Sequence, residues 1–369
     1  METFAYSYYF VRPIEHNLTS EWDYLYNKAH NEYLNYLATT GFIGLGSYLA
    51  LIVMVGIVFY KKILSTDTDE QNDKVLLAAL YSSYITILIT NFFGFSTTTI
   101  NLFFFILIPG VIAGRNTVLS RNLPKKLSFY SFIAVNAVLL YLFVNLGLYL
   151  AADINYSTGT NYAKVGDYQQ AAKYLNSALT IRYEPIYEDK YSYYLANLAF
   201  AAAYYKQPKL VDKWMKAAIF YNNRALVASP KNVNYWKTKG KNDYLFYQIN
   251  LDNKYLEDGV KSLNQAQLLA PTDPKLPYSL AIYYSLLNDD VAQAKDDSAR
   301  QKAQLYKTLS LSNIEKAISL KVDYRDAYLL QAQLLKKYGQ KEKAKQSLEF
   351  ILRKFNPKDI EAQKELINL

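Results

Sequence analysis

Cysteine is absent from the 369 residues, which excludes disulfides, thiol nucleophiles and thiolate metal sites and leaves the redox compartment open. Histidine is nearly absent: His16 and His30 are the only two, too few for a histidine-rich metal cage. Dense blocks of one charge are missing as well. The net charge is +9, but the basic residues are spread through helical patterns, so nucleic acid is not an expected partner. The opening stretch METFAYSYYFVRP lacks the basic start and apolar core of a signal peptide. Neither a cofactor nor a metal is implied.

What is present divides into two unlike parts. The mean hydropathy of -0.10 averages over long uncharged runs before residue 152 and a Lys-, Tyr- and Ala-rich remainder. A membrane helix needs about 20 apolar residues. The run Tyr33–Tyr60 supplies one span, at about 42–60. The run Val75–Gly114 is too long for one span, and FFGFSTTTIN breaks it at residues 92–101, which predicts spans at about 75–93 and 99–113. A fourth is predicted at about 127–151. Gly41, Gly44, Gly46 and Ser47 place small residues at the start of the first span, where helices can approach closely.

Basic residues in short loops set orientation. Lys61, Lys62 and Lys74 follow the first span, and Arg115, Arg121, Lys125 and Lys126 follow the third. The hairpin between spans two and three carries no charge. This predicts a multi-pass protein of the cell membrane, in contact with membrane lipid, with the basic loops inside. Residues 1–41 form an outer loop, 42–152 the membrane domain, and 153–369 an outer domain.

The outer domain repeats itself. GDYQQAAKYLNSALTI (166–181), YLEDGVKSLNQAQLLAP (255–271) and YGQKEKAKQSLEFILRKFNP (338–357) share a turn glycine or tyrosine followed by small and apolar residues at helical spacing, and NRALVASP and NIEKAISLKVD end two further units. The equivalent positions Ala178, Ala225, Ala266, Ala317 and Ile351 are 47, 41, 51 and 34 residues apart. The pattern resembles the tetratricopeptide repeat, a helix-turn-helix of about 34 residues. The expected fold class is all-α: about four membrane spans followed by an extracytoplasmic tetratricopeptide-type α-solenoid. A generic helical bundle suits the same pattern. Such a module binds a protein partner on its repeat surface.

HNEYLNYLATTGFIGLGSYLALI, starting at His30, resembles the shared region of the O-antigen ligases and O-antigen polymerases, membrane glycosyltransferases whose motif reads H-N-x-x-L, a short spacer, then G-x-x-G. Here these are His30, Asn31, Leu34, Gly41 and Gly44. The resemblance covers residues 1–150 and implies transfer of a glycan from an undecaprenyl pyrophosphate carrier to an acceptor glycan, lipid or protein on the outer face of the membrane. It implies His30 as the base and Arg12, the only arginine in residues 1–40, as the pyrophosphate clamp. Asn31 and Thr98 are the substrate-binding candidates; Glu32, His16 and the aromatic residues Trp22, Tyr24 and Tyr26 are weaker ones. Each has a plainer reading: an interfacial cap for His30, a headgroup anchor for Arg12, a helix cap for Asn31, a solvated turn for Thr98. The family has ten or more spans, so a chain with four is expected to lack the amino-terminal spans and to be incompetent alone. The alternative is a membrane-anchored repeat scaffold for envelope protein–protein interactions.

Overall fold

The computed structural model describes residues 3–24, 26–64, 71–113, 125–292 and 297–369, and among these every regular element is a helix. Two compact units form: residues 1–8 with 24–136, and residues 9–23 with 137–369.

The first helix, α1 (Thr3–Val11), falls where the sequence predicts an outer loop. TFAYSYYFV contains neither glycine nor proline, and Pro13 stops the helix beyond it before a short 3-10 turn at Ile14–Leu18.

In the first unit, α2 (Glu32–Leu64) is two helices joined at Gly41, whose φ of 71° and ψ of -169° lie outside the helical region. Such a φ is open to glycine at little cost. The break lays Thr40 over Gly44, where an added Cβ would lie 1.8 Å from Thr40 Oγ1. Gly41 of the G-x-x-G pair therefore has a backbone reason and Gly44 a steric one. Helices α3 (Gln71–Phe93) and α4 (Thr98–Ala113) complete a three-helix packing around Tyr48, Val55, Phe59, Tyr84, Ile87 and Phe104. Their other faces stay apolar and exposed.

Among the described residues, three helices are long and apolar enough to cross a membrane: Glu32–Lys61, Val75–Phe93 and Phe129–Lys164. Thr98–Pro109 is apolar but shorter. The third long helix is part of α5 (Lys125–Lys164), which runs past the expected end at 151 without interruption. Phe132, Leu140, Tyr141 and Phe143 are all more than 60% exposed, so this helix is apolar on all sides, as a lipid-facing helix is.

The second unit is an array of paired helices: the end of α5 with α6 (Tyr168–Ile181), α7 (Pro185–Tyr204) with α8 (Pro208–Ala228), α9 (Val233–Asn250) with α10 (Asn253–Leu269), α11 (Lys275–Ala292) with α12 (Asp297–Leu320), and α13 (Arg325–Lys337) with α14 (Lys341–Lys354). Helix α15 (Ile360–Ile367) packs on the last pair. The five repeat positions expected from sequence are in register. Ala178, Ala225, Ala266, Ala317 and Ile351 are all fully buried. The carbonyl of each accepts the N–H four residues on, from Arg182, Ser229, Ala270, Lys321 and Phe355, and ends its helix there. Close approach recurs at Gly259, where an added Cβ would lie 2.6 Å from the Tyr283 ring. The array is an α-solenoid.

Candidate functional site

In the first unit, the mouth of α2 meets the turn between α3 and α4. Asn31 caps α2: its Oδ1 accepts the Leu34 N–H at 2.9 Å, and its Nδ2 donates to the Phe92 carbonyl at 2.9 Å. Next to it, the buried Glu32 carboxylate accepts the Ser96 N–H at 3.0 Å. Ser96 Oγ donates to Asn91 Oδ1 at 2.6 Å, and Asn91 Nδ2 donates to the Tyr48 hydroxyl at 3.3 Å. This buried chain pins the turn onto α2. His30 sits outside it, solvent-exposed, with ring centroids 5.4 Å from Phe95 and 6.0 Å from Tyr26. Lys28 Nζ lies 5.8 Å from the Phe95 ring. Thr98 is the exposed first residue of α4, whose preceding Thr97 accepts the Ile100 N–H at 3.4 Å. His30, Asn31 and the 92–98 turn are therefore gathered together. Glu32, a minor candidate from sequence, holds the turn in place.

Arg12 belongs to the second unit. It is 5% exposed. Its Nη1 donates to the Trp22 carbonyl at 3.1 Å, and its Nη2 to Asn17 Oδ1 at 2.7 Å and the Thr272 carbonyl at 3.2 Å. Both terminal nitrogens are thus bonded to protein acceptors, while Nε is buried without a hydrogen-bond partner among the described residues, so the group expected as a pyrophosphate clamp is turned into the protein. Asn17, completely buried, donates through Nδ2 to the carbonyls of Thr272 at 2.8 Å and Leu320 at 2.9 Å. Lys321 Nζ returns a bond to the Asn17 carbonyl at 2.6 Å, and Thr272 Oγ1 donates to the Arg12 carbonyl at 3.1 Å. The Trp22 ring centroid lies 5.1 Å from Lys275 Nζ, 4.6 Å from Lys321 Nζ and 5.6 Å from the Tyr324 ring. Residues 9–23 are therefore seated on the loops that join α10 to α11 and α12 to α13. His16 is buried here beside Arg12, and both effects hold its pKa below the ordinary value.

The array has a groove of its own along α8, α9 and α10. One end has a volume of about 900 Å³ and is lined mainly by apolar groups, Pro208, Val211, Met215 and Ile249, together with Lys206, Asp212 and Lys216. The other, of about 570 Å³, is lined by Trp236, Asn223, Lys239, Lys254, Asp258 and Lys261. Ile219 and Tyr255 line both. Beneath runs a buried polar seam. Thr238 Oγ1 donates to Asp189 Oδ2 at 3.1 Å, Asn242 Nδ2 to Ser192 Oγ at 3.2 Å, and the Arg224 guanidinium pairs with Glu188 at 3.0 Å. Burial pushes the carboxyl groups of Asp189 and Asp243 up to about 7, against the pull of Lys190 and Lys241 on the first and Lys239 on the second.

No protein-family model matches the chain, and no curated protein matches it. Similar solved structures include TTC0263, a thermophilic TPR protein of Thermus thermophilus. It is 17% identical over 59% of this chain and 98% of that one, with a TM-score of 0.40. MamA is 21% identical over 43% of this chain and 79% of that one, with a TM-score of 0.31, and pilF of Pseudomonas aeruginosa is 19% identical over 60% and 100%, with a TM-score of 0.27. TTC0263 is described as a TPR protein, and the O-antigen ligase resemblance has no counterpart among these neighbours. The solenoid assignment rests on the buried, in-register repeat positions and not on these scores.

Proposed function

We propose that the chain is a membrane-anchored helical-repeat scaffold whose array binds a protein partner in the cell envelope. The observation that carries this reading is the groove along α8, α9 and α10. Its apolar end suits the apolar face of a partner helix or peptide, and its lysine-lined end suits an acidic or amide-rich flank. The apolar helices of the first unit and α5 supply the anchor. The basic loops at 61–74 and 115–126 support an array outside the cytoplasm. A photo-crosslinking amino acid at Ile219, where the two ends of the groove meet, is expected to trap one discrete partner in living cells. The same group at the exposed Ile360 should trap none. No adduct at Ile219, or the same adduct at both positions, refutes the reading.

A second reading is favoured by the setting of His30. An exposed imidazole stands beside two aromatic rings at the mouth of an apolar helix, one of those rings also met by Lys28, and the neighbouring Asn31 and Glu32 bond the adjoining turn. Such a group can take a proton from an acceptor hydroxyl during glycan transfer from an undecaprenyl pyrophosphate carrier.

A further inference from the structure

We infer that residues 9–23 are a clasp that fixes membrane topology: the chain between the clasp and the array crosses the bilayer an even number of times, and α4 is one of the crossings. The inference rests on the membrane-anchored reading and adds the path of the chain.

The clasp joins residues far apart in sequence. Arg12 and Asn17 bond Thr272 at separations of 260 and 255 residues, and Asn17 bonds Leu320 at 303. Asn17 is completely buried in that contact. Polar backbone and side chains paired this way do not meet through hydrocarbon, so the clasp and the array share one aqueous compartment. Between them, among the described residues, lie three helices that meet the length of a span. Three crossings would put the clasp and the array on opposite faces.

Helix α4 supplies the fourth. Its 16 residues extend ~24 Å at ~1.5 Å each, against a hydrocarbon core of ~30 Å. Bilayers absorb a mismatch of this size by thinning. Phe104 is buried against α2 and α3, but Leu102, Phe103, Phe105 and Ile106 are each about half exposed, an outward face that lipid covers and water does not. Charge agrees independently. Lys61, Lys62 and Lys74 fall on the same side as Arg115, Arg121, Lys125 and Lys126 only if the chain crosses at α4.

The absence of cysteine makes the test free of background. Ser20→Cys in the clasp, Thr98→Cys at the start of α4, Asn116→Cys between α4 and α5 and Gln301→Cys in α12 are made singly in the full chain. An impermeant maleimide is then applied to intact and to permeabilised cells. The expected result is one labelling class for Ser20→Cys, Thr98→Cys and Gln301→Cys and the opposite class for Asn116→Cys, at least tenfold apart. Ser20→Cys and Gln301→Cys in different classes overturns the clasp, and Asn116→Cys in the class of Thr98→Cys overturns the crossing at α4. Alkaline carbonate extraction tests the anchor separately, since a chain released to the supernatant refutes the membrane reading itself.

Discussion

Asn17→Ala is the sharpest probe of the clasp. The side chain makes three bonds: two that Nδ2 donates to main-chain carbonyls and one that Oδ1 accepts from the Arg12 guanidinium. A neutral bond contributes about 1 kcal/mol net and one to a charged group about 2, so the truncation costs about 4 kcal/mol if the bonds act independently. At ~1.4 kcal/mol per tenfold, local opening of residues 9–23 should become about a thousandfold more frequent. The neighbouring ion pair Lys275–Asp23 provides the contrast. Its side chains are 40% and 55% exposed, and exposed pairs contribute about 0–1 kcal/mol, so Asp23→Ala should raise opening by about fivefold or less. Hydrogen exchange of the peptide covering residues 9–23, measured on the full chain in lipid, reads both. Its reporters include Thr19 N–H, bonded to the His16 carbonyl at 3.1 Å, and Trp22 N–H, bonded to the Thr19 carbonyl at 3.3 Å. If Asn17→Ala changes exchange by less than threefold while helicity is intact, or if Asp23→Ala has the larger effect, the assignment of Asn17 as the anchor is refuted.

Two further outcomes are expected. The carboxyl groups of Asp189 and Asp243 are raised to about 7 by burial, so each destabilises the fold fully above that pH and progressively less as it is protonated on acidification. The thermal midpoint of the array should therefore be higher at pH 6 than at pH 8, with a smaller difference in Asp189→Asn; a lower midpoint at pH 6 refutes the argument. His30→Ala removes an exposed ring and should leave helicity unchanged. Under the glycan-transfer reading it abolishes the surface glycan ladder in cells, and a surviving ladder eliminates His30 as the base.

The repeat array is legible in the sequence because its rules are local. A small or apolar residue at the helix crossing and a stop four residues later recur in one chain, and each appears in the structure as a buried side chain and a closing hydrogen bond at Ala178, Ala225, Ala266, Ala317 and Ile351. The buried carboxylates are not legible. Asp189 and Asp243 carry no local sign of burial, and only the packing of α9 against α7 and α10 encloses them. The break at Gly41 is half legible. The glycine pair stands out, but its spacing points to close helix approach, and the structure adds a backbone conformation that favours glycine.

Arg12 shows most clearly where local reading ends. As the only arginine before residue 40 it is the default clamp, and that choice assumes that a charged residue without a nearby partner is free for a ligand. Its partners are the Asn17 amide and the carbonyls of Trp22 and Thr272, and main-chain carbonyls have no sequence signature at any distance. The same limit applies to Asn17, an ordinary letter in PIEHNLTSEWD that becomes a completely buried side chain of the clasp. Main-chain acceptors at the ends of α10 and α12 are present in any helical repeat, because helix ends leave carbonyls unpaired. A polar segment elsewhere in the chain can therefore fasten onto such an array without complementary charge or motif. That is why the clasp is visible only in three dimensions, and why its test depends on Asn17 more than on any charged residue around it.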